Sequence, residues 1–108
     1  MPHYLVQGTY ASEGWANLVK NPEDRFEAMR PVIERLGGKL VGAWFAFGEH
    51  DVVLICDMPD NASAAAVSMA AAAGGAVKAV KTTPLMTVAE AIEALKLAAN
   101  AGYRPPGP

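Results

Sequence analysis

The sequence holds one cysteine, two histidines and 19% charged residues in a chain of 108, and each scarcity removes a class of function. A lone Cys56 makes no internal disulfide, so no disulfide framework is available, which fits a reducing cytoplasm. Its place in an apolar strand pattern makes it a small buried hydrophobe rather than a nucleophile. His3, His50 and scattered carboxylates show no ligand spacing, so neither a metal nor another cofactor is expected. Nine Lys and Arg against eleven Asp and Glu leave a formal charge of -2, with no basic run to neutralise phosphates, and nucleic acid is not an expected partner. No nucleophile-elbow motif supports serine hydrolysis. Gly37-Gly38 and Gly74-Gly75 each follow a helical pattern instead of opening one, so neither is a phosphate loop. The N-terminus, MPHYLVQGTY, lacks the basic and long apolar regions of a signal peptide. Asn61 to Val77 is uncharged but dominated by Ala, Ser and Gly, and it falls short of the roughly 20 strongly apolar residues of a membrane span. The expectation is a soluble cytoplasmic protein without membrane association.

What the chain does have is apolar material, 52% of it, enough for one core and one domain over residues 1–100, with 101–108 a Pro/Gly-rich tail. His3 to Tyr10 alternates with a period of two, His3, Leu5, Gln7 and Thr9 on one face and Tyr4, Val6, Gly8 and Tyr10 on the other. The second face sets a glycine between two phenols, which leaves space beside them. Ala11 to Lys20 reads as a loop or a short helical turn capped by Ser12. Asn21-Pro22-Glu23-Asp24 reads as a helix start with Asn21 capping and Pro22 first in the helix. Phe26, Met29, Ile33 and Leu36 then give one apolar face up to Gly37-Gly38, with a kink expected at Pro31.

Lys39 to Phe47 and Asp51 to Met58 are strands too closely spaced for anything but an antiparallel hairpin. Alternation puts Leu40, Gly42, Trp44 and Ala46 on one face and Val41, Ala43, Phe45 and Phe47 on the other. Both faces are apolar and both need cover. An alanine-rich helix follows from Ala62 to about Ala73. A fourth strand spans Ala76 to about Thr83, with Val77 and Ala79 opposite Lys78 and Val80 and Pro84 limiting it or marking an edge. Thr87-Val88-Ala89-Glu90 is a capping box for a last helix, whose stripe is Val88, Ile92, Leu95 and Ala99. The order β-α-β-β-α-β plus a helix predicts an α+β, ferredoxin-like antiparallel sheet with helices on one face. The other face has no cover from its own chain, so two copies are expected to pack sheet against sheet as a homodimer or larger homo-oligomer.

The succession L-G-G-K-L at Leu36–Leu40, G-E-H-D at Gly48–Asp51, an apolar strand, M-P-D at Met58–Asp60 and an alanine-rich helix resembles the GYD domain family. These are small bacterial proteins of the dimeric α+β barrel type, and the likeness covers roughly residues 3 to 97. Gly48 and Asp51 match the Gly and Asp of the family's turn, and His50 stands where that family has tyrosine. The resemblance implies a dimeric α+β barrel and no assigned reaction. Related barrels include isomerases, cofactor-free monooxygenases, haem-degrading enzymes and ligand binders, and fold alone does not choose among them.

Two sets of residues carry candidate chemistry. In the hairpin turn, His50 is the candidate general base and Asp51 or Glu49 the group orienting it; the structural alternative has Asp51 accepting N–H groups within the turn and His50 packing in place of a tyrosine. His3, Tyr4, Tyr10 and Trp15 are candidates to line a cleft between sheet and helices, although strand aromatics are commonly core or interface. Trp44 is expected in the dimer core. The leading expectation is a binder of a small apolar or aromatic molecule. The alternatives are an isomerase or cofactor-independent monooxygenase using His50, and a structural assembly module without ligand.

Overall fold

β1 (His3–Tyr10) buries every second residue, with Tyr4, Val6, Gly8 and Tyr10 facing inward as the alternation predicts. In the computed structural model, which describes residues 1–107, β1 is followed by α1 (Ser12–Lys20), α2 (Arg25–Arg35), β2 (Lys39–Phe45), β3 (Val52–Asp57), α3 (Asn61–Ala73), β4 (Val77–Leu85) and α4 (Val88–Ala99). Pro108, the end of the expected tail, lies outside the described residues. The four strands form one antiparallel sheet in the order β2-β3-β1-β4. The fold is therefore α+β, and its sheet is compatible with the ferredoxin-like topology. No helix among the described residues is long and apolar enough to cross a membrane.

α2 lies against β2 and α3 against β4, both on the face that carries Tyr4 and Val6. The core forms there: Leu54 and Cys56 of β3 meet Ile33 of α2 and Ala64 and Val67 of α3. Ile33 is fully buried, a change from water that contributes about 2 kcal/mol. Small residues let α3 approach closely: Ala64 is buried, and Ser68 hydrogen-bonds Thr82 on β4. Tyr4 donates from its hydroxyl to Asn61 Oδ1 at 2.6 Å, holding the first residue of α3 to the central strand.

Several boundaries differ from the sequence expectation. Ala11 to Lys20 holds a nine-residue helix, and its N-cap is Ala11, not Ser12. Gly14, a weak helix former, is what allows it. A Cβ there would stand 2.4 Å from the Ala76 carbonyl oxygen, so the glycine admits a close approach that also seats the Ala11 N–H on that same oxygen at 2.9 Å. α2 begins later than Asn21-Pro22 predicts: Asp24 is the N-cap, its Oδ1 accepting from the N–H of Phe26 at 3.0 Å and of Glu27 at 3.1 Å. The Asp24 carboxylate thus satisfies two of the helix's orphan N–H groups with charge-assisted bonds. The helix runs on through Pro31 to Arg35, and Gly37 adopts φ +86° to end it. β4 extends through Pro84 to Leu85, which is tolerable because β4 is an edge strand. The Thr87–Glu90 capping box forms with both bonds present.

The face assignments also change, because each edge strand carries a bulge next to its partner. Leu40 pairs with Cys56 but Gly42 with Ile55, so Val41 is an extra residue. Leu40, Ala43 and Phe45 therefore share the helix-covered face, where Phe45 meets Phe26 of α2 edge-on at 5.1 Å. Gly42 and Trp44 stay on the open face. At the other edge Tyr10 pairs with Val77 and Thr9 with Ala79, leaving Lys78 as the extra residue and bringing Val77 to the same face as Val80. Simple alternation misassigns both.

Because the Gly14–Ala76 contact is backbone against backbone, Gly14→Ala should lower stability by about 1–3 kcal/mol, despite the roughly 1 kcal/mol that alanine gains over glycine in an open helix. Chemical denaturation of Gly14→Ala beside a Ser12→Ala control measures it; a stabilised Gly14→Ala would show that α1 does not dock there.

Candidate functional site

The hairpin turn is bound to the end of β1 by backbone and side-chain bonds. The Asp51 N–H donates to the Gly8 carbonyl at 2.8 Å, the Ala46 N–H to the Asp51 carbonyl at 2.8 Å, and the Tyr10 N–H to Asp51 Oδ2 at 2.9 Å. The Asp51 carboxylate thus accepts from the neighbouring strand, while its backbone carbonyl closes the hairpin on Ala46. Thr9 Oγ1 lies 3.4 Å from His50 Nδ1 and donates to the Glu49 carbonyl at 3.3 Å. The imidazole meets Thr9 and the carboxylate meets backbone, an arrangement that positions the turn.

The other candidates separate along β1. His3 and Tyr10 stand seven residues apart, about 23 Å at strand rise. On the open face at the far end, His3 Nδ1 is hydrogen-bonded to Asp57 across the strand pair. Tyr4 is buried in the core and held by Asn61. Tyr10 and Trp15 do come together: their rings meet edge-on at 5.0 Å, and Trp15 leans over a shallow hollow with Phe45 and Pro22. Among the described residues no group of three or more His, Cys, Asp or Glu is placed to hold a metal ion.

Beside Tyr10, between the sheet and helices α2 and α3, lies a cleft of about 110 Å³. Its floor is Val6, Gly8 and Tyr10 of β1 with Leu54 of β3; its walls include Phe26 and Met29 of α2 and Val67 and Ala71 of α3. Both bulges contribute to it: the Lys78 bulge brings Val77 to the cleft beside Val80, and the Val41 bulge sends Phe45 against Phe26. Of the expected lining residues the cleft takes Tyr10; His3, Tyr4 and Trp15 stand outside its walls, as does His50 of the turn. The glycine between two phenols in β1 was the readable signal. Arg25, Phe26, Met29, Val67 and Ala71 went unrecognised because only packing of the helices brings them to one place. Burial raises the Tyr10 phenol's pKa, with Arg25 opposing and Asp51 adding to the rise, so the hydroxyl keeps its proton at neutral pH. Burial likewise raises the Cys56 thiol, which stays a neutral core group.

The open face carries Leu5, Val53, Ile55 and Trp44, the last 55% exposed with its ring laid over Gly42. α4 has no buried residue: Val88, Ile92 and Leu95 of its apolar stripe are all exposed. The radius of gyration, 17.5 Å, exceeds the roughly 13 Å of a compact chain this long.

Compared with known proteins, residues 4–95 match the model of the GYD domain. The chain is 33% identical over 97 residues to a protein of Thermus thermophilus named glutamine synthetase and cystathionine beta-lyase binding protein, an alignment covering 89% of this chain and 100% of that relative.

If Asp51 positions the turn, Asp51→Ala, which leaves the Tyr10 N–H unpaired, costs about 1–3 kcal/mol, and His50→Ala costs less than about 1 kcal/mol. Urea unfolding of the two variants checks this; the opposite ranking would make His50 the anchor.

Proposed function

The chain belongs to the GYD domain family, and from that premise we propose that it is a homo-oligomeric binding protein holding a small, largely apolar molecule between its sheet and helices α2 and α3. The cleft carries this reading. Protein interiors are close-packed, and a volume of about 110 Å³ bordered by Val6, Phe26, Met29 and Val67 approaches the engineered cavities of about 150 Å³ that bind benzene. Ala71 helps maintain it with a short side chain on the α3 wall, while at Gly8 the place of a side chain is taken by Val52, which would stand 2.8 Å from a Cβ there. The catalytic alternative has less support, because His50 and Asp51 are occupied in the turn and neither lines the cleft.

Self-association has its own support. Leu5, Ile55 and Trp44 on the sheet, Phe47 fully exposed beside the turn, and the Val88–Ile92–Leu95 stripe of α4 make two apolar surfaces that a second copy of the chain would cover, as a dimeric α+β barrel does. Uncovered patches of this kind mark interaction sites. A second reading follows from the same surfaces. The Thermus relative is named as a binding protein for two enzymes, and α4, which buries none of its residues, is the kind of amphipathic helix a larger partner accepts in a groove.

Native mass spectrometry of gently purified protein tests the proposal. The expected result is a dimer or larger assembly with added small-molecule mass, reduced to monomer by Trp44→Lys and stripped of the added mass by Ala71→Leu. A bare monomer for the unmodified chain would overturn it. Co-sedimentation with glutamine synthetase or cystathionine beta-lyase would favour the second reading.

A further inference from the structure

The cleft continues past its apolar chamber. Tyr10, Arg25 and Ala76 line both that chamber and an adjoining hollow of about 370 Å³ whose other residues include Asn17 and Lys20 of α1 and Asn21 and Glu23 of the linker. The two spaces thus share a boundary with an apolar side and a polar side. Among the described residues, Arg25 is the one charged group lining the inner chamber.

Arg25 is not tightly engaged. Its Nη1 meets Glu23 Oε1 at 3.0 Å, but both side chains are about half exposed, 45% and 58%, and an ion pair in water holds weakly. The guanidinium has five N–H donors, so most remain for a planar acceptor. The Tyr10 hydroxyl, a neutral donor, is close enough for Arg25 to act on its ionisation.

We infer that the cleft binds a small monocarboxylic acid with an apolar body, its tail in the inner chamber between Val6, Phe26 and Val67 and its carboxylate on Arg25 beside the Tyr10 hydroxyl. This rests on the small-molecule reading above and names the ligand class. A carboxylate is the planar anion that a guanidinium fork matches with two bonds. A cationic ligand would place like charge against Arg25 and Lys20. A dianion such as a phosphate monoester would meet Glu23 at the same boundary, where a single negative charge is the better complement. The inner chamber limits the body to about six non-hydrogen atoms, by comparison with cavities that hold benzene.

The test titrates 4-methylpentanoate and its neutral counterpart 4-methylpentan-1-ol into the intact protein, following amide shifts by NMR. The acid is expected to bind roughly tenfold tighter than the alcohol. Arg25→Gln should bring the acid down to the alcohol's affinity without altering the alcohol, Glu23→Gln should strengthen the acid, and Ala71→Leu should weaken both. Equal affinities in the unmodified protein, or an Arg25→Gln variant that keeps the preference, would overturn the carboxylate assignment and leave the cleft reading intact. If neither compound shifts the amides of Val6, Val67 and Val80 at millimolar concentration, the small-molecule reading fails as well.

Discussion

The structure depends on the two-residue alternation of β1, one of the two strands flanked on both sides within the sheet. Its inward row, Tyr4, Val6, Gly8 and Tyr10, decides which face the helices cover, and a slip of one residue would turn every one of those side chains to the open side. The row is also secured at both ends. Tyr4 reaches α3 through Asn61, and Tyr10 reaches the hairpin turn through its backbone N–H and Asp51. Between the two phenols stands Gly8, and the cleft forms beside it.

The edge strands accommodate this row through their bulges. A regular β2 would have put Leu40 on the open face with Trp44; the extra Val41 turns Leu40 into the core and leaves Ala43 and Phe45 on the helix side. At the opposite edge, the extra Lys78 gives Val77 and Val80 a common face. Bulges concentrate at sheet edges and beside binding sites, and here they supply one wall of the cleft and a buttress behind another. The same placement sets the bonds of the turn residues. Asp51 is used to hold β1 and the hairpin together, and His50 lies against Thr9 on the other side of the strand.

One-sided layering leaves the second face of the sheet and the apolar stripe of α4 uncovered among the described residues. The proposed assembly follows from this: a helix with no buried residue has too little tertiary packing of its own to account for its order, since short helices draw most of their stability from a packed face. Its capping box secures one end only. The cleft lies on the opposite side of the sheet from the proposed contact surface, so the proposed ligand binding and the proposed self-association would use separate faces of one layer.

Alternation, capping residues and Gly-Gly breaks in the sequence were sufficient for the element order, the antiparallel hairpin, the inward row of β1, the capping box of α4 and the likeness to the GYD domain family, because each is a local pattern whose physical cause lies within a few residues. Tertiary structure decided the rest. α1 is a helix because Gly14 fits against the Ala76 carbonyl, a contact 62 residues away that no local propensity encodes. Asp24 rather than Asn21 caps α2, and the two bulges reverse the faces of Leu40 and Val77 through pairing with strands distant in sequence. The cleft is likewise beyond local reading: Val6, Arg25, Phe26, Val67 and Val80 come from four elements, and only their packing around the space beside Gly8 brings an arginine to the edge of an apolar chamber.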